Sequence, residues 1–352
     1  MSRTRLLGAA AALLFARAAL AGGPPALRDL MDARGRMIGA AVDAQALKTE
    51  TDYQRVLASQ FSVLTPENAM KFDQVHPRPG FGPESYDFRQ ADSIVDFARS
   101  HKMWVRGHTL VWYRAVPDWT KGLTPEHLRE VLQNHVQTVA AHFKGKVYCW
   151  DVVNEAVAAD GSMRRSAWLT ADPDYVADAF RWAHAADPEA KLFYNDYDAE
   201  NSAAKADGIF KLVKKLKDDG VPIDGIGFQM HTIAGRKGGD VSALLHRFAA
   251  LGLEIHITEL DVSPVDLNTL IGGGLFGADL DHYDRRVQAE TYARALNSCL
   301  SEPACKAFVM WGFTDKHTWL PMFRPLIFDK QYAPKPAYDA LHAALETSPQ
   351  AP

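Results

Sequence analysis

Two glutamates stand out among the side chains of this 352-residue sequence. Glu155 ends the segment Cys149-Trp150-Asp151-Val152-Val153-Asn154-Glu155, just past a run too apolar to face water. Glu259 follows a second short run, Glu254-Ile255-His256-Ile257-Thr258, and precedes Leu260-Asp261. The two glutamates lie 104 positions apart. Carboxyl groups delivered from two strand ends can share the cleavage of a glycosidic bond. One protonates the departing oxygen while the other meets the sugar directly or through water. Either glutamate alone would mean little. The pair in this context points to a glycosidase.

Elements able to place both groups recur along the chain. Short apolar or β-branched runs predict strands at Met37–Val42, Phe61–Thr65, Trp104–His108, Val147–Val153, Lys191–Tyr194, Gly225–Gln229, Leu253–Thr258 and Ala307–Gly312. Helical patterns lie between them. Thr51 with Gln54 reads as a capping box, Thr124-Pro125 and Asp172-Pro173 as N-cap and first-turn pairs, and Asp240 as a cap for the run to Leu251. Further helices fit Arg89–Ser100, Asn201–Lys217, Tyr283–Leu300 and Pro336–Leu345. Strands apolar on both faces, alternating with helices, predict an α/β fold: a closed (β/α)8 TIM barrel of parallel strands forming a single domain over residues 22–352. No GxGxxG turn favours an open dinucleotide-binding sheet. The glycine-rich segment Ser263–His282 follows the strand of Glu259 and is expected to shape the active-site rim.

Barrel enzymes carry their chemistry at the carboxyl ends of the strands. Those ends supply Glu67, Asn68, Lys71, His108, Trp112, Asn154, Glu155, Asn195, Tyr197, Gln229, His231, Glu259, Asp261, Trp311, Asp315, His317 and Trp319. Indoles stack on the apolar faces of sugar rings, and amides, lysine and histidine bind hydroxyls. The composition is that of a carbohydrate site.

The formal charge is −4, with 39 basic and 43 acidic residues. A negative balance without a basic cluster argues against nucleic-acid binding. Residues 1–21 read as a signal peptide, with Arg3 and Arg5, the apolar stretch Leu6 to Ala16 and the small residues Ala19-Leu20-Ala21. Arg17 interrupts that stretch, and spanning a bilayer takes about 20 apolar residues, so no anchor is expected. Removing three arginines takes the balance from −4 to −7. The protein is then expected to be secreted or periplasmic, and monomeric. Of its three cysteines, Cys299 and Cys305 are spaced for a local disulfide in an oxidising compartment, while Cys149 reads as a buried small residue. No CxxC or paired-histidine spacing suggests a metal, and no cofactor is implied.

Six motifs in order carry a family resemblance. They are Thr65-Pro66-Glu67-Asn68-Ala69-Met70-Lys71, Arg106-Gly107-His108-Thr109-Leu110-Val111-Trp112, Trp150-Asp151-Val152-Val153-Asn154-Glu155-Ala156, Gly227-Phe228-Gln229-Met230-His231, Ile257-Thr258-Glu259-Leu260-Asp261 and Trp311-Gly312-Phe313-Thr314-Asp315. Together they resemble glycoside hydrolase family 10, the retaining endo-β-1,4-xylanases, from about Met37 to Ala344. The resemblance implies xylan and xylo-oligosaccharides as substrates. It also implies Glu259 as nucleophile and Glu155 as acid/base, with carboxyl groups about 5–5.5 Å apart as retention requires. His231 and Asp261 would hold Glu259, and Asn154 would bond the 2-hydroxyl of the reacting sugar. Glu67, Asn68, Lys71 and His108 would grip sugars on the non-reducing side, with Trp112, Trp311 and Trp319 as walls. Gln229 and Tyr197 would lie near the cleavage point. His256, one turn of the pleat earlier, reads as a satisfied core histidine.

Xylose lacks the hydroxymethyl group of glucose, so exclusion of glucose needs a rigid obstacle rather than a new bond. Trp319 is the expected obstacle. The sequence departs from the family pattern at Phe72, at Tyr113-Arg114-Ala115 after Trp112, and at Lys316-His317-Thr318 before Trp319. Arg114 reads as a solvated charge rather than a contact to an acidic side group. Another retaining β-glycanase acting on cellulose or mannan would share the glutamates but not the Glu67, Asn68, Lys71, Gln229 and His231 set. A sugar-binding barrel without catalysis has no need for both glutamates and their partners. A zinc hydrolase would want an early His-x-His, which is absent.

Overall fold

A computed structural model describes residues 24–236, 238–264 and 285–347. The leader at 1–21 and most of the glycine-rich segment after Ser263 lie outside the described residues. Nine strands form among the described residues: β1 Met37–Val42, β2 Val63–Pro66, β3 Trp104–Trp112, β4 Cys149–Asn154, β5 Lys191–Asp196, β6 Gly225–Phe228, β7 His231–Ile233, β8 Glu254–Ser263 and β9 Cys305–Met310. Each barrel strand pairs in parallel with its neighbour, β1 with β9 and β6 with β8, so the sheet closes on itself. The (β/α)8 expectation is met. The strand outside the ring of eight, β7, is a short addition that pairs with the end of β8.

The strands form because their residues are buried on both faces; β2, β4 and β6 are buried throughout. The surrounding helices are one-sided. Helix Arg89–Ser100 buries Ala91, Ile94, Val95 and Ala98, spaced to line one face. Strand β6 has no room for side chains at one point. A Cβ on Gly227 would come within 2.2 Å of the Asn195 side-chain oxygen, so glycine there lets β5 and β6 close up beneath the site.

Several boundaries differ from expectation, for local reasons. Strands β3 and β8 run on to Trp112 and Ser263, so Trp112, Glu259 and Asp261 lie within strands. Register shifts break the ladders between His108 and Val111, between Asp151 and Val153, and between Ile257 and Leu260. Such irregularities re-aim side chains without ending the strand. The capping box at Thr51 and Gln54 does not form. Helix Thr51–Gln60 is preceded by Glu50 as N-cap, and Gln54 instead donates to the carbonyl of Leu47 (2.7 Å). Asp172 does not open a helix either: it ends Ala167–Ala171, accepts from Arg129 and the Asp174 amide, and leaves the next helix to start at Tyr175. Thr124 and Asp240 do cap their helices, each accepting from a backbone amide three residues on.

The Cys299–Cys305 disulfide is present. Cys149 is free and buried, and burial pushes its thiol up to about 12. At the carboxyl rim the first and last βα units are tied together. Glu50 accepts from Lys316 (2.7 Å), from His317 (2.9 Å) and from the Tyr332 hydroxyl. No helix among the described residues is long and apolar enough to cross a membrane.

Candidate active site

Both glutamates point into one polar cluster at the carboxyl end of the barrel, and both are buried. Glu259 lies within β8 at the register shift, and its Oε1 accepts from Asn195 Nδ2 at 2.7 Å. Its Oε2 faces His231 Nε2 at 3.3 Å. Glu155 follows β4 in a left-handed backbone conformation (φ +60°), with its amide donating to the carbonyl of Asn195 (2.9 Å). A non-glycine residue in that region is uncommon and persists when neighbours hold it. Glu155 Oε1 accepts from Gln229 Nε2 at 3.1 Å and from Asn154 Nδ2 at 3.3 Å.

Two side-chain amides link the carboxyl groups. Asn195 Nδ2 donates both to Glu259 and to Asn154 Oδ1 (2.9 Å). Gln229 Nε2 donates both to Glu155 and to the same Asn154 oxygen (3.2 Å). Each amide nitrogen carries two hydrogens, one per acceptor. Thr258 Oγ1 donates to Asn195 Oδ1 (2.8 Å), which fixes the orientation of that amide.

Behind Glu259 stands a charged relay. A left-handed residue, Met230 (φ +60°), separates Gln229 from His231 and turns the chain from β6 into β7. His231 Nδ1 meets Asp261 Oδ2 at 3.0 Å, and Trp319 Nε1 donates to the same oxygen at 2.7 Å. Burial favours a neutral His231. The charge of Asp261, its hydrogen bond, and the bond and charge of Glu259 outweigh that and hold the imidazole well above its ordinary pKa. With a carboxylate oxygen at each ring nitrogen, both nitrogens must donate.

The remaining expected binding residues border the same space. Lys71 Nζ donates to Asn68 Oδ1 (2.7 Å) and lies 5.1 Å from the Trp112 ring and 5.9 Å from the Trp311 ring. Burial lowers the Lys71 pKa, and Glu259 and Glu67 offset part of that. Burial raises the Glu67 pKa, opposed by Lys71. His108 packs edge-on to Trp311 with ring centres 5.1 Å apart, and its Nδ1 meets Asp151 Oδ2 at 3.0 Å. Tyr197 accepts from Arg164 Nη2 (3.0 Å), and Arg164 Nε donates to the Glu155 carbonyl (2.8 Å).

Two strand-end residues are turned to structural use. Asp315 pairs with buried Lys335 (2.7 Å), and His317 is taken by Glu50. His256 is a satisfied core histidine, accepting from Arg106 (2.8 Å) and donating to Glu254 (2.9 Å), with burial lowering its pKa to about 4. Three contributors carry no assigned part in the sequence reading: Asn195, Asp151 and Arg164. Asn195 and Asp151 have a detectable signal, polar residues inside apolar strand runs. Arg164 has none, since it lies in a loop. Among the described residues no cluster of His, Cys, Asp and Glu could hold a metal ion.

The sequence profile of glycosyl hydrolase family 10 matches residues 26–344. The chain belongs to glycosyl hydrolase family 10. Its relatives in this family include endo-1,4-beta-xylanase B of Thermotoga neapolitana, 43% identical over 84% of this chain and 83% of that protein. Endo-1,4-beta-xylanase of Geobacillus stearothermophilus is 40% identical over 89% of this chain and 97% of its own length. Among solved structures, xylanase 10B from Thermotoga petrophila RKU-1 in complex with xylobiose superposes with a TM-score of 0.83 at 42% identity, covering 93% of this chain and 98% of that one. Family 10 enzymes hydrolyse with retention.

Proposed function

We propose that the protein is an endo-1,4-β-xylanase that cuts internal bonds of xylan by double displacement, with Glu259 as nucleophile and Glu155 as acid/base. Glu259 forms a bond to the anomeric carbon while Glu155 gives its proton to the glycosidic oxygen, releasing the reducing-side fragment. A water then passes a proton to Glu155 as its oxygen bonds the same carbon, and the ester to Glu259 breaks. Asn195 and His231 hold the two oxygens of Glu259, so one carboxylate geometry serves attack and release.

The observation that carries this reading is the pair of shared amides. Gln229 and Asn195 each bond Asn154 and one glutamate, which ties acid/base and nucleophile into one frame. The family relatives named endo-1,4-beta-xylanase and the xylobiose-bound structure favour xylan as substrate. Lys71, Asn68, Glu67, His108 and the indoles of Trp112 and Trp311 would hold the sugars on the non-reducing side. Residues 1–21 would direct export, and a secreted form starting near Gly22 would bear that out.

The test is incubation with a 2-fluoro-xylobioside carrying a good leaving group. A mass increase of one fluoro-xylobiosyl unit, mapped to the peptide containing Glu259, is the expected result. An unmodified, still active protein would refute the covalent route.

A further inference from the structure

Among the described residues four large apolar side chains are exposed: Phe81, Trp104, Trp319 and Met322. Trp319 belongs to the active site. Trp104 opens β3 at the amino end of the barrel and is 56% exposed, so more than half of its surface lies outside the packing. Strand β3 has nine residues and rises about 3.3 Å at each step, which puts Trp104 about 26 Å from Trp112 along the strand. It is no part of the cleft.

The indole does not stand alone. The ring of Tyr148, just before β4, lies 5.4 Å from it and is tilted by 54°. The Tyr148 hydroxyl donates to Glu254 Oε1 (2.8 Å), and Lys191 Nζ pairs with the other oxygen of that carboxylate while lying 5.2 Å from the Tyr148 ring centre. From inside the barrel His256 Nε2 donates to Glu254 Oε1 (2.9 Å). The phenol is thereby fixed beside the indole. Lys191 keeps 40% of its side chain exposed, and an ammonium carries three hydrogens, so donors remain for a ligand. These groups stand at the starts of β3, β4, β5 and β8, a base held rigid by strand register.

A flat indole, a second ring at an angle and a cationic donor repeat, at the far end of the barrel, what Trp112, Trp311 and Lys71 offer in the cleft. A stable protein partner wants about 800 Å² on each side, and two rings with a charged rim fall short of that. A bilayer surface wants a basic cluster, whereas this lysine is already matched by Glu254. A sugar ring needs one apolar face and a few hydroxyl partners.

We infer that Trp104, Tyr148 and Lys191 form a second, non-catalytic site for the backbone of a xylan chain. The indole takes the apolar face of one xylose unit, and Lys191 donates to its hydroxyls. A polymer held there keeps the enzyme at its substrate while another stretch enters the cleft, which raises the local concentration. A short glycoside gains nothing from it. The choice of ligand rests on the xylanase reading above.

The experiment is native electrophoresis through gels with and without dissolved xylan, for the wild type, Trp104→Ala and Trp104→Phe. Each protein is first labelled with the 2-fluoro-xylobioside, so that no polymer is cut. Xylan should retard the labelled wild type. Trp104→Ala should raise the apparent Kd for the polymer about fivefold, the order of one aromatic stack, and Trp104→Phe should restore part of the loss. Unlabelled, the three proteins should agree within about twofold in kcat/KM on an aryl xylobioside, which also reports that the variants fold. Equal retardation of Trp104→Ala and the wild type would remove the second site and leave the xylanase reading intact. Retardation that depends on Trp104 in hydroxyethylcellulose but not in xylan would overturn the choice of ligand. A wild type that takes up no label and cleaves no xyloside would remove the reading itself, and the proposal with it.

Discussion

His231 touches both Glu259 and Asp261, and its protonation is part of the fold as well as of the chemistry. Its native pKa lies well above the ordinary value near 6.5, so the imidazolium is stabilised by folding. That contribution is complete below about pH 6.5 and is lost as pH rises through the raised native pKa. His231→Asn should therefore cost about 2 kcal/mol at pH 6, the order of a hydrogen bond to a charged group, and progressively less toward pH 10. Urea unfolding of both proteins across that range checks it; a constant difference would mean that the imidazolium is not what stabilises. Trp319 belongs to the same group through its bond to Asp261. Replacing it by alanine should lower the xylan-to-cellulose activity ratio about tenfold, the order expected when a pocket wall that excludes one substituent is removed. An unchanged ratio would show that another group excludes glucose.

At the scale of elements, the loop from β9 that carries Trp319 is secured by Glu50, the residue just before helix Thr51–Gln60. Glu50 holds Lys316, His317 and Tyr332, and the bonds to Lys316 and Tyr332 lower its pKa to about 2. A depressed carboxyl stabilises the fold above its unfolded value near 4.5, and that stability fades as pH falls toward 2. Glu50→Gln should thus be less stable than the wild type at pH 6, and the two should converge only below about pH 2. Thermal melts at both pH values read the difference; equal melting temperatures at pH 6 would mean that the cluster does not secure the loop. The residues Lys316 and His317, which depart from the family pattern, thereby acquire a reason: they serve as donors to Glu50.

For the whole molecule, the barrel was legible because its strands are short apolar runs and its helices are one-sided, as Lys191–Asp196 and Arg89–Ser100 illustrate. The site was legible because its side chains cluster at strand ends. What escaped was set by tertiary contact. Strands β3 and β8 run past their expected ends at His108 and Thr258, because the flanking strands continue beside them and pair with Val111, Trp112 and residues 261–263. Gln54 has the spacing of a capping box and is claimed by Leu47, brought near by the preceding helix. Arg164 has no period to betray it, because its partners are backbone carbonyls and a tyrosine from another loop.

Of three cysteines, two are bonded to each other, and Cys149 alone is left as a thiol in the barrel interior beside Arg106. Reagents in solution reach that sulfur only when the staves of the barrel part. A single dye attached there, slowly and under native conditions, would act as a clock for the opening of the entire ring.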